Sequence, residues 1–116
     1  MTKTVTIFHN PRCSTSRKTL ELLEERGIKP DVVLYMDTPP DSKQIHHLLK
    51  QLNFSSARQL IRTKEDLYKE LNLADASEQA LIEAMTANPK LIERPIVVTG
   101  EQARLGRPPE NVLEII

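Results

Sequence analysis

The sequence predicts an α/β domain on a small mixed sheet, and three observations carry that expectation. Two strand-favouring runs flank a helix-forming stretch near the start, and strand, helix, strand with short connections implies a right-handed parallel crossover. A long middle stretch then keeps helical spacing. Two further strand-like runs, joined by a tight turn, follow it, so the element order reads βα, β, helices, ββα.

Val5 to Phe8 contains Val, Thr, Ile and Phe and stops at His9-Asn10-Pro11, as a buried strand would. From Ser14 the chain is rich in helix formers, with Leu20 and Leu23 on one face, and Gly27 supplies a C-terminal stop. Val32 to Met36 is the second strand-like run. In Thr38-Pro39-Pro40-Asp41, Thr38 is placed to cap a helix, Pro39 fits its first turn and Asp41 stands where a capping box puts its acid. Ile45, Leu48, Leu49 and Leu52 continue at helical spacing. Shorter helices are expected over Ser56 to Arg62, Lys64 to Leu71 and Ser77 to Thr86, with Leu67 and Leu71, then Leu81 and Met85, set four apart. Strands are expected at Ile96 to Thr99 and near Ala103 to Leu105, around a turn at Gly100-Glu101, with a last helix from about Pro109. No linker, repeat or low-complexity segment interrupts residues 1–116, so a single domain is expected, with a helical insertion at about 40–90.

Sixteen basic and sixteen acidic side chains cancel. No global field therefore draws in a nucleic acid or an acidic membrane surface. The first residues lack the apolar stretch of a signal peptide, and no run approaches the roughly 20 apolar residues that span a bilayer. A cytoplasmic location is expected, and a lone cysteine agrees with a reducing compartment. With three glycines the chain carries no phosphate loop or dinucleotide fingerprint.

The single cysteine, Cys13, falls where a strand has ended and a helix begins. Free N–H groups and the positive dipole end at such a place favour a thiolate, lowering the pKa from about 8.5. A dipole contribution of up to about 2 kcal/mol is little more than one pKa unit, so further cationic help is needed. Arg12 and Arg17 are near in sequence. The plainer alternative is a small buried core residue. A tyrosine-phosphatase-like loop would place arginine six residues after the cysteine, where this chain has Thr19, and a disulfide oxidoreductase would have a second cysteine where Ser16 stands. Any resolving thiol must therefore come from another molecule. The same helix start also suits an oxyanion, for which arginines offer planar, permanently charged donors. Arg94 precedes Pro95 and the run Ile96-Val97-Val98, Arg107 precedes Pro108, and Arg62 ends an expected helix; each alone reads more readily as a solvated charge or a helix C-terminal partner than as a ligand. His9 is near enough in sequence to influence the thiol. His46 and His47 point about 100 degrees apart on a helix and cannot chelate one metal as an i, i+4 pair does, so no metal site is expected.

His9-Asn10-Pro11-Arg12-Cys13-Ser14-Thr15-Ser16-Arg17, Arg94-Pro95-Ile96-Val97-Val98 and Arg104-Leu105-Gly106-Arg107-Pro108 together closely resemble the glutaredoxin-dependent arsenate reductase family, ArsC, over essentially the whole chain. The resemblance implies a thioredoxin-like fold, a mixed four-stranded sheet with an inserted helical subdomain, in which Pro95 is a cis proline beside the cysteine. It implies that Cys13 attacks arsenate and that glutathione, as co-substrate, and glutaredoxin supply the electrons, with no tightly bound cofactor and a monomeric enzyme. Arg62, Arg94 and Arg107 match the family's oxyanion-binding arginines, and His9 matches a residue that tunes the thiol. Arg12 and Ser14 depart from residues common in the family, which changes the size and charge of the expected anion pocket. Two other functions fit the same residues: an Spx-like regulator that binds RNA polymerase, against which Ser16 in place of a second switch cysteine argues, and a glutathione-linked thiol protein with another substrate.

Overall fold

β-Branched and aromatic side chains suit a pleated, buried backbone. In the computed structural model, which describes residues 4–116, Val5–Phe8 forms β1, and Val5, Ile7 and Phe8 are all buried. The expectation concerning an export signal involves Met1–Lys3, which lie outside the described residues. Helix α1, Ser14–Glu25, follows, and the chain leaves it through Gly27, whose φ of +76° is easily reached only without a side chain. Strand β2, Asp31–Val33, pairs parallel to β1, with Ile7 opposite Val32. Strand β3, Ile96–Thr99, runs antiparallel on the other side of β1 and turns through Gly100-Glu101 into β4, Gln102–Leu105. The sheet order is β2-β1-β3-β4. Val5, Ile7, Val97, Leu23 of α1 and Val112 form its core. This mixed sheet with flanking helices is a thioredoxin-like fold.

The chain divides into two compact units: the segment up to Thr38 together with Arg94–Ile116, which contains the sheet, and Pro39–Glu93. The second consists of α2, Ser42–Leu52, α3, Asp66–Glu70, and α4, Glu78–Ala87, joined by short 3-10 turns. Ile45, Leu48, Leu49 and Leu52 of α2 and Leu81 and Met85 of α4, all at helical spacing, are buried. An antiparallel bridge of Ile61 with Ile92 draws the flanking residues Arg62 and Glu93 together.

Several expected boundaries shift for local reasons. The second strand ends at Val33 rather than Met36, because the Leu34 carbonyl accepts the N–H groups of both Asp37 and Thr38 and curls the chain. The cap of α2 is Asp41, which accepts the Gln44 N–H at 2.8 Å, and not Thr38, whose hydroxyl donates to the Leu34 carbonyl instead. Residues before proline are pushed out of the helical region, so two prolines delay the start. The expected helix over Ser56 to Arg62 is a 3-10 turn, Ala57–Gln59, closed by a capping box of Ser56 and Gln59. The expected helix to Leu71 stops at Glu70, and Leu71 is exposed. The last helix is likewise 3-10, Pro109–Glu114, as suits a short piece opened by prolines. No helix among the described residues is long and apolar enough to cross a membrane.

Candidate active site

The sheet unit assembles its site where β1 ends. His9 continues the ladder beyond Phe8, donating its N–H to the Val33 carbonyl at 2.9 Å. The chain then turns: Cys13 N–H donates to the Asn10 carbonyl at 3.0 Å, and Asn10 Oδ1 accepts the Arg12 N–H at 3.0 Å. Cys13 is the N-cap of α1, with extended backbone and no side-chain capping hydrogen bond of its own. Its carbonyl accepts the first helical N–H, that of Arg17. The sulfur is thus held at the helix start, half-buried, as its sequence position predicts.

Burial pushes the Cys13 thiol up. Against it act the Ser16 N–H, the charge of Arg94, the Thr15 N–H and a hydrogen bond from Arg94; together they outweigh burial and hold the thiol below its ordinary value. The cation acting on the sulfur is therefore Arg94, remote in sequence, and neither Arg12 nor Arg17. Arg17 is committed elsewhere, its Nη1 donating to the Pro11 carbonyl at 2.7 Å. Arg12 is exposed beside a cavity of about 420 Å³ that also involves Asn10, Leu34, Met36 and Asp37, and neither Cys13 nor Arg94 lines that cavity.

Arg94 is the most informative residue of the site. Its Nε and Nη1 are buried and have no hydrogen-bond partner among the described residues. Buried donors are normally paired, and an unpaired one costs about 1–3 kcal/mol, more when charged. A guanidinium so placed beside a thiolate is suited to receive a further anion in bidentate fashion. Arg107 is exposed, and its Nη1 reaches the Arg94 carbonyl at 3.5 Å. Both arginines precede cis prolines, Pro95 and Pro108, the second of which the sequence did not suggest.

His9 is 6% exposed, and its Nδ1 lies 2.6 Å from the Oγ of the fully buried Ser16, which also accepts the Asn10 N–H at 3.0 Å. Burial, then the charge of Arg17, lower the His9 pKa, so the ring stays neutral near neutral pH. Ser16 was visible in the sequence only as the missing second cysteine. Here its backbone serves the thiol while its side chain ties the loop to α1.

Arg62 lies in the helical unit, where its Nη1 meets Glu65 Oε1 at 2.7 Å and its Nε lies 3.9 Å from Glu93 Oε1. The sheet unit thus brings together Cys13, Arg94 and Arg107, with His9 in the loop ahead of the sulfur. His46 and His47 are exposed on α2, and no group of three or more His, Cys, Asp or Glu among the described residues could hold a metal ion.

The model of the ArsC family matches residues 8–115. The chain is 64% identical to the Escherichia coli K12 protein YfgD, itself uncharacterised, over 118 residues that span 100% of this chain and 99% of the relative. It is 48% identical, over 97% of both chains, to a protein of Neisseria meningitidis serogroup A named arsenate reductase. A solved structure described as an arsenate reductase from Vibrio cholerae is similar with a TM-score of 0.97 at 53% identity, over 100% of both chains.

Proposed function

Since this chain belongs to the ArsC family, we propose that it reduces arsenate to arsenite with the Cys13 thiolate as nucleophile. The observation that carries this reading is the half-buried Arg94, whose Nε and Nη1 are buried without a hydrogen-bond partner among the described residues, acting on a thiol held below its ordinary pKa. That pair supplies a nucleophile and an anion cradle at one place, which a merely structural cysteine does not need.

In the proposed cycle Arg94, with Arg107 beside it, holds the oxyanion while the Cys13 sulfur attacks arsenic and one oxygen leaves as water or hydroxide. The helix N–H groups of Thr15 and Ser16 that favoured the thiolate remain to stabilise charge on the arsenate oxygens. Arsenic then passes from the pentavalent to the trivalent state by gaining two electrons. These come from two thiols, those of glutathione and glutaredoxin, which depart joined as a mixed disulfide, and Cys13 returns as a thiolate. His9, neutral and fixed by Ser16, orients the loop that precedes the nucleophile. Arg62 is assigned as a further oxyanion ligand that must exchange Glu65 for substrate. Glutathione is a co-substrate in this scheme, no cofactor stays bound, and the protein works as a monomer in the cytoplasm, where glutathione keeps thiols reduced.

The test is arsenate-dependent NADPH consumption in the presence of glutathione, glutathione reductase and glutaredoxin. Turnover that disappears in Cys13→Ser supports the reductase. No turnover with both couplers present would remove arsenate as substrate and leave a glutathione-linked reaction on another molecule or a polymerase-binding regulator.

A further inference from the structure

Beyond the residues that would touch substrate, the sheet unit contains one contact with no slack, between α1, the strand β3 entry and the end of β4. The pairing of Ile96 with Leu105 continues one rung further, where the Gly106 N–H donates to the Pro95 carbonyl at 2.9 Å, directly after Arg94. From α1 the fully buried Thr19 reaches the same point. Its hydroxyl donates to the Thr15 carbonyl at 2.9 Å and lies 3.3 Å from the Gly106 carbonyl. A Cβ at position 106 would stand 2.6 Å from Thr19 Oγ1, 2.9 Å from Thr19 Cγ2 and 2.8 Å from Pro95 Cγ. Real Cβ atoms do not approach so closely, so only hydrogen fits.

We propose that Thr19 and Gly106 are positioning residues that set the separation between the Cys13 sulfur and the Arg94 guanidinium. The geometry has a direct lever. Thr19 sits on the helix whose N-cap is Cys13, six residues or about 9 Å of stiff helix away. On the other side, Pro95 is bonded to Arg94 and held by the Gly106 rung. Anything that widens the Thr19–Gly106–Pro95 contact moves the thiol-bearing helix and the arginine-bearing segment apart, and the attraction between opposite charges weakens with distance. The proposal rests on Cys13 and Arg94 being the reacting pair, but not on arsenate being the substrate.

The experiment follows the rate of Cys13 alkylation by iodoacetamide against pH, since the thiolate is the reacting form and no other cysteine is present. Gly106→Ala is compared with wild type, Arg94→Ala and the double variant. Gly106→Ala is expected to slow alkylation at mildly acidic pH roughly threefold to tenfold, as partial loss of a neighbouring opposite charge does, and to move the profile to higher pH. In the Arg94→Ala background the same substitution should change nothing further. A folded Gly106→Ala protein with the wild-type profile, or an equal slowing in both backgrounds, overturns the proposal. If circular dichroism shows that Gly106→Ala does not fold, Thr19→Val replaces it, putting a larger, non-donating methyl where the hydroxyl lies 3.3 Å from the Gly106 carbonyl and so pushing the same contact apart, and the same two outcomes decide. Loss of the arsenate assignment in the turnover assay would leave these alkylation results untouched, so the two failures are distinguishable.

Discussion

Arg94 and Arg62 carry the same guanidinium, yet their surroundings differ in sign. In the helical unit Arg62 faces two carboxylates, Glu65 at 2.7 Å and Glu93 at 3.9 Å, and its charge is already balanced. In the sheet unit Arg94 has a thiol to favour, and two of its buried donors have no protein partner among the described residues. Burying a charged donor unpaired costs stability, so packing alone does not account for Arg94. A partly exposed ion pair such as that of Arg62 contributes roughly 0–1 kcal/mol and is accounted for by the fold it sits in. An arginine is thus marked as an anion ligand less by its sequence neighbours than by what is missing around it.

Arg94→Ala should lower kcat/KM for the oxyanion by about 10²–10³, the usual loss for one donor at a developing charge, measured in the coupled NADPH assay. It should also shift the alkylation profile of Cys13 to higher pH, because the charge and the hydrogen bond that favour the thiolate are both removed. Arg62→Ala should cost about tenfold or less, since Glu65 and Glu93 already balance its charge. If the two variants were equally impaired, the distinction between a balanced and an unbalanced arginine would fail.

Ser16→Ala sharpens the same contrast from the stability side. It strips the partner from the His9 ring and the Asn10 N–H together, so urea unfolding should show a loss of about 1–3 kcal/mol. His9 also gives a sign for the pH dependence. Its folded pKa is lowered, so as pH falls below the ordinary histidine value of about 6.5 the unfolded chain binds a proton first and stability falls. His9→Gln should flatten that part of the stability profile. The smallest effect is expected at Glu78 of the helical unit, which accepts the Ser56 hydroxyl and the Ala57 N–H at 2.8 Å. Hydrogen bonds from Ser56, then from Ala57, lower its pKa despite burial, and the charge of Arg58 adds to them. Its contribution is present above the ordinary glutamate range and is lost as pH falls through the lowered folded value. Glu78→Gln should therefore melt slightly earlier than wild type at neutral pH, with the gap closing in acid.

Much of the fold was legible because it is locally encoded. The change from the strand-like run at Val5 to the helical pattern at Ser14 placed Cys13 at a helix start, and Gly27 marked the helix end, each through side-chain preferences acting over a few residues. The boundaries that moved are those where hydrogen bonds competed with hydrophobic pattern. Leu34 and Met36 alternate with the buried Tyr35 as strand residues would, but the Leu34 carbonyl accepts a turn instead. The site was legible to the same depth. Composition and spacing nominated one nucleophile and several arginines of equal standing, and the family resemblance singled out three of them.

Covalent order and short-range propensity were enough to set the order of elements and the place of the lone thiol at the start of α1. Tertiary structure alone decided that Arg94 rather than Arg12 or Arg17 acts on the sulfur, that Ser16 ties His9 to α1, and that Gly106 must lack a side chain where Thr19 meets Pro95. Each of these depends on strand register and helix packing that bring distant residues within a few ångströms, a distance that spacing along the chain does not encode.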